Sequence, residues 1–130
     1  MLRIVLGIIV GIVVGSLVFL GFQTVNTVIF PLPEGVDFSN KEGMKKFIAD
    51  LPATGFILLL TGYAVGSLGA GFIARKISRH ASIIAPIILG AFFSLGWLMN
   101  TSMLPHPVWV VVLGYLMYLP FTVLGHKLAG

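Results

Sequence analysis

The sequence predicts an all-α integral membrane protein: a four-transmembrane-helix bundle with a short amphipathic interfacial helix between helices 1 and 2. Two observations carry this expectation. The 130-residue chain contains four long apolar stretches, and all eight Lys/Arg and all four Asp/Glu lie outside them or at their edges. Composition agrees, with 58% hydrophobic and 9% charged residues, against roughly a quarter charged in an ordinary soluble domain. Crossing a hydrocarbon core takes about 20 apolar residues, so four spans use most of the chain and a single membrane domain, residues 1–130, is expected.

The first span, about residues 4–30, is broken only by Ser16, Gln23, Thr24, Asn26 and Thr27 among its apolar and glycine positions. Arg3 and the apolar run imitate a signal peptide, but the run exceeds the roughly 7–15 residues of a secretory core and no Ala-x-Ala cleavage site follows. A retained anchor is expected. The remaining spans cover about residues 52–74, 82–99 and 107–124. Pro52 and Pro107 suit first helical turns, where the missing N–H has no role. Pro86 and Pro120 fall inside spans, where each removes a backbone hydrogen bond and a kink is expected.

Orientation follows from the cations. With the N-terminus inside, Arg3, Arg75, Lys76, Arg79 and Lys127 face the cytoplasm, whereas Lys41, Lys45, Lys46 and all four acids face outward. The positive-inside rule therefore places both termini in the cytoplasm.

Residues 31–51 form the one sizeable extramembrane segment. Pro31-Leu32-Pro33 is rigid, and Ser39-Asn40-Lys41-Glu42 has the spacing of a capping box, so a short helix is expected to begin there. Met44, Phe47, Ile48 and Leu51 then recur at helical spacing with Lys41, Lys45 and Lys46 on other faces. Such a helix is expected to lie at the membrane surface, as a connector, a lid or a docking element.

Small residues mark the helix-packing faces. On the second span Gly55, Gly62, Gly66 and Gly69 fall within a sector of roughly 60° at 100° per residue. Gly7, Gly11 and Gly15 make a similar stripe on the first, and Asn26 lies on its extension. Helices in lipid associate through close backbone approach, which such faces permit, so the first two spans are expected to pack together. Weaker stripes run through Pro86, Gly90, Ser94, Trp97 and Thr101, and through Gly114, Tyr118, Phe121 and Gly125. Trp97 and Trp109 flank the short hairpin Asn100–His106 and are expected at headgroup depth. Tyr115 and Tyr118 lie deeper, and their hydroxyls need partners. Gln23, Asn26 and Asn100 can supply them, which makes these five residues a candidate polar cluster.

Chemistry is sparse. His106 belongs to one surface and His80 and His126 to the other, so the three cannot share a metal or haem site within one chain. Cysteine is absent, which removes thiolate ligands and disulfides. No acid lies within a span to serve a nucleophile or carry protons. No catalytic, cofactor-binding or metal-ligating residue is therefore expected, and the chain does not read as an enzyme. Its net charge of +4 fits anionic headgroups and topology better than nucleic acid.

The Pro31, Pro33, Gly35, Asp37 exit, Leu51-Pro52, Ala74-Arg75, Pro105-His106-Pro107, and Leu119-Pro120 with Gly125 together resemble a group of small bacterial inner-membrane proteins with no assigned activity. The resemblance covers nearly the whole chain. It implies a four-helix protein of the bacterial inner (plasma) membrane and assigns no residue roles. The expected function is helix–helix association, as an accessory subunit of a membrane complex or a small homo-oligomer, with lipid and other membrane helices as partners. The alternatives are a passive channel or small-solute transporter module formed by oligomerisation, and lipid or quinone binding.

Overall fold

The computed structural model of the chain describes residues 2–31, 40–80, 82–103 and 106–130. Five helices follow one another: α1 (Leu2–Ile29), α2 (Lys41–Asp50), α3 (Ala53–Ser78), α4 (Ile84–Met103) and α5 (Val108–Ala129). All except α2 are long and apolar enough to cross a membrane. The chain is thus an all-helical bundle, and its four apolar helices suggest a multi-pass membrane protein.

Several helix ends lie beyond the apolar runs. α3 continues four residues past Ala74 and places Arg75 and Lys76 in its last turn, where cations meet the negative end of the helix dipole. It stops at Arg79, whose φ of 54° is left-handed and whose N–H donates to the Arg75 carbonyl at 2.9 Å. In the turn that follows, the Ser82 N–H donates to Nδ1 of His80 at 3.0 Å. α4 then begins at Ile84, so Pro86 is its third residue rather than an interior one. The first helical bond runs from Ile87 N–H to the Ile83 carbonyl, and Pro86 therefore removes no bond, contrary to the kink expected there. At its other end α4 runs on to Met103, which makes Asn100 helical rather than part of a hairpin. Pro120 does lie within α5.

α3 is the central helix, packed against α1 on one side and α5 on another, while α4 backs onto α5. The α1/α3 seam is built from small residues in antiparallel register. A methyl group on Gly7 would stand 2.7 Å from the Ala74 carbonyl oxygen, and one on Gly11 2.9 Å from that of Ala70. Gly15 meets Gly66 and the Phe93 ring, and Phe22 lies on Gly62. The stripe on α3 thus passes from Gly62 and Gly66 to Ala70 and Ala74. Gly69, in the same angular sector, has open space where a side chain would stand, and the nearest atoms to one on Gly55 belong to Leu51 of the preceding segment. A second small face of α3 serves α5: Gly71 lies against the Thr122 carbonyl, and Gly125 against that of Leu68.

Trp97 departs most from expectation. It is 3% exposed and lies in the core rather than at an interface. The reason is Gly114 on α5, whose bare backbone accepts the indole, and the Trp97 Nε1–H donates to the Val111 carbonyl at 3.0 Å. Trp109, by contrast, is exposed. Around Trp97, the rings of Tyr63, Tyr118, Phe19 and Phe93 contact one another edge-on or tilted, with centroids 5.0–6.3 Å apart. This aromatic layer fills the bundle on its α2 side.

α2 is capped by Asn40, whose Oδ1 accepts from the Gly43 N–H at 3.0 Å. The expected cap, Ser39, lies outside the described residues, as do Pro33, Gly35 and Asp37 of the segment before it. Met44 and Ile48 are buried, so the apolar face of α2 is turned onto the bundle itself.

Candidate functional site

Beneath α2 the end of the bundle holds a partly open cavity of about 160 Å³. Its polar wall comes from the last turns of α1, where Gln23, Asn26 and Thr27 line it, together with Asn100 from the end of α4 and His106. The floor is Phe56, Leu59 and Tyr63 of α3, and the roof is Met44, Phe47 and Ile48 of α2 with Leu51. Phe47 and Leu51 also border a more open groove lined by Phe30 and Pro52.

Asn26 is the distinctive member of this site. It continues the small-residue face of α1, which turns it inward, and it is 6% exposed. Its Oδ1 is buried with no hydrogen-bond partner. An unpaired buried acceptor costs about 1–3 kcal/mol, so most such groups in folded proteins are paired. The neighbouring hydroxyls do not relieve it: Thr27 Oγ1 donates to the Gln23 carbonyl at 2.8 Å, and Thr24 Oγ1 to that of Leu20 at 2.9 Å. Among the described residues, none that lines the cavity is Asp, Glu, Lys or Arg. The aromatic layer lies directly below, and His106 contacts both Phe56 and Trp97, with centroids 6.4 and 5.2 Å apart.

The structure divides the candidate polar cluster. Gln23, Asn26 and Asn100 come together around the cavity, whereas Tyr118 is buried in the aromatic layer and Tyr115 packs half-buried against the core. Tyr63 takes the place expected for them. It is the lone tyrosine of α3, and no periodic signal distinguishes it in the sequence. Met44, Phe47, Ile48 and Leu51 all line the cavity, a role their spacing revealed only as an apolar face. Gly90 packs under Leu119 and Gly114 under Trp97, so both serve the α4/α5 contact.

Further polar groups are buried toward the other end. Thr122 Oγ1 lies 2.8 Å from the Pro86 carbonyl, tying α5 to α4. Ser67 Oγ and both ring nitrogens of His126 are buried without hydrogen-bond partners. Among the described residues no group of three or more His, Cys, Asp or Glu converges as a metal site would require. Comparisons with protein-family models, with curated proteins and with solved structures find no match to this chain.

Proposed function

We propose that this chain is a multi-pass protein of the bacterial inner membrane, with both termini cytoplasmic, that binds a small uncharged molecule in the cavity beneath α2. The observation that carries the reading is the cavity roofed by α2, into whose wall Gln23, Asn26 and Asn100 bring three side-chain amides. A cavity lined by apolar side chains with a few polar groups is the usual form of a small-molecule site. The distribution of Arg3, Arg75, Lys76, Arg79 and Lys127 against Lys41, Lys45 and Lys46 supports the orientation. In it the cavity faces outward, α2 lies at the outer interface, and the protein acts as a binder without catalysing a reaction. The same site would hold the solute if the chain serves as a transporter module.

The test is a thermal-shift screen of the detergent-solubilised protein against uncharged solutes of one to two rings or short chains. Stabilisation of the unaltered protein that is lost in Asn26→Leu is the expected result. Solutes that shift both proteins equally, or neither, would refute the reading.

Association as an accessory subunit or homo-oligomer is the second reading, and three open glycines favour it. Gly21, Gly69 and Gly96 have nothing within 4 Å of a side-chain position, leaving bare backbone for another helix. Native mass measurement of the extracted protein checks this: a complex that Gly69→Leu dissociates supports it, and a monomer in both cases contradicts it.

A further inference from the structure

We propose that the end of the bundle opposite α2 binds an anionic phospholipid, whose phosphate meets the guanidinium groups of Arg3, Arg75 and Arg79. The inference rests on the chain lying in a membrane and is independent of what the cavity beneath α2 holds.

Three helices deliver cations to this end. The α1/α3 seam sets Gly7 against Ala74, Gly11 against Ala70 and Gly15 against Gly66. One turn further on, the same register brings Arg3 opposite Ser78, the neighbour of Arg79. Arg75 and Lys76 occupy the last turn of α3, and His126 and Lys127 that of α5. The two ends meet because Gly71 and Gly125 let the backbones touch, and the Arg75 guanidinium lies against Gly130. Arg75 is half-buried there, whereas Arg3, Lys76, Arg79 and Lys127 are exposed. The chain supplies no acid to answer them. Glu34, Asp37, Glu42 and Asp50 all belong to the connection from α1 to α3, and the start of α3 at Ala53 is about 33 Å from Arg75 at 1.5 Å per residue. Helix dipoles do not balance the charge either, because the negative ends of α3 and α5 share this side with the positive ends of α1 and α4.

The surrounding surface distinguishes a lipid from a soluble anion. Leu2, Phe72, Ile83 and Leu128 are exposed around the cations. Lys76 holds its ammonium 5.5 Å from the centre of the Phe72 ring, so its stem runs along apolar surface and its charge stands at the rim. A free anion would cover none of that apolar surface. A phospholipid covers it with its tails and brings the missing negative charge to the rim. The planar guanidinium groups suit its phosphate, whose oxygens accept paired N–H bonds from one arginine. Several basic side chains acting together are expected to favour an anionic over a zwitterionic headgroup by at least about tenfold.

The experiment uses the full chain in a non-ionic detergent, titrated with dioleoylphosphatidylglycerol or dioleoylphosphatidylcholine. The two lipids share their tails and differ in headgroup charge, and the rise in melting temperature with concentration gives each affinity. In the unaltered protein the phosphatidylglycerol is expected to bind at least about tenfold more tightly. Arg75→Gln combined with Arg79→Gln is expected to remove most of that preference, whereas Lys45→Gln with Lys46→Gln, which takes the same charge from the α2 end, leaves it intact. Equal affinity of the unaltered protein for the two lipids would overturn the proposal, as would a preference that both double variants lose alike or that neither loses. Inorganic phosphate or an oligoglutamate peptide that displaces phosphatidylglycerol at equal concentration would overturn the lipid as occupant, in favour of a soluble anion or an acidic partner. The comparison of lipids is made in the unaltered protein, so it does not depend on how the variants fold.

Discussion

Asn26, Ser67 and Trp97 show how single side chains record what surrounds them. Ser67 is fully buried and its Oγ has no partner, yet its helix fits closely on both sides. Replacing it by alanine removes an unpaired polar atom and leaves a void of one oxygen. Ser67→Ala is therefore expected to raise stability by about 1 kcal/mol, read as a higher melting temperature in detergent; a loss of similar size would mean that the hydroxyl is paired. Trp97 is the opposite case, a polar atom buried because it is satisfied. A methyl group on Gly114 would collide with the indole and break its bond to Val111. Gly114→Ala is expected to destabilise by about 2 kcal/mol and to red-shift the tryptophan emission as the ring is expelled. Neither residue could be placed from sequence. The position of Trp97 near the end of an apolar run suggests an interface, and only the facing glycine on α5 makes room for it inside.

At the level of helices, periodicity revealed one packing face at a time. The stripe Gly7, Gly11 and Gly15 and the pair Gly62 and Gly66 were legible because both lie on a single helical arc. Gly71 was not, because α3 buries a second face against α5 that its glycine arc does not cover. Gly69 lies within the arc but misses the contact, since Ala70 and Ala74 continue the seam toward Gly11 and Gly7. Alanine is small enough to serve there, and a search confined to glycine passes over it. The two neighbours offer a direct comparison. Gly71→Ala drives a methyl into the Thr122 carbonyl, which is backbone and cannot move aside, and is expected to cost about 3 kcal/mol or prevent assembly. Gly69→Ala meets open space and gains helix propensity, so it is expected to be neutral or to stabilise by up to about 1 kcal/mol. Melting temperatures of the two variants decide the matter, and equal effects would contradict the register of α3 on α5. The apolar face of α2 was also legible, whereas its target was not. An amphipathic pattern shows which side chains need cover and leaves open whether lipid or protein provides it.

Across the whole molecule, the division between small and large residues accounts for the architecture. Small side chains hold α3 against its neighbours, and large ones such as Leu6, Ile9, Val13, Leu17 and Leu20 of α1 remain exposed on the outside, as helices facing hydrocarbon require. The four apolar runs made this plan readable from composition alone. The cavity was not, because it is assembled from the ends of α1 and α4, the first half of α3 and the roof of α2, and no periodic face of any one helix records that meeting. It also supplies its own measurement. Gln23, Asn26 and Asn100 line the cavity, whereas Asn40, the remaining side-chain amide of the sequence, caps α2. NMR of the ¹⁵N-labelled protein in nanodiscs can follow all four side-chain amides while an uncharged solute that stabilises the protein in the thermal-shift screen is added. Saturable shifts of Gln23, Asn26 and Asn100, largest at Asn26, with Asn40 stationary, are the predicted result. An Asn26 amide that stays in place, or one that moves no more than Asn40, would contradict a binding site beneath α2.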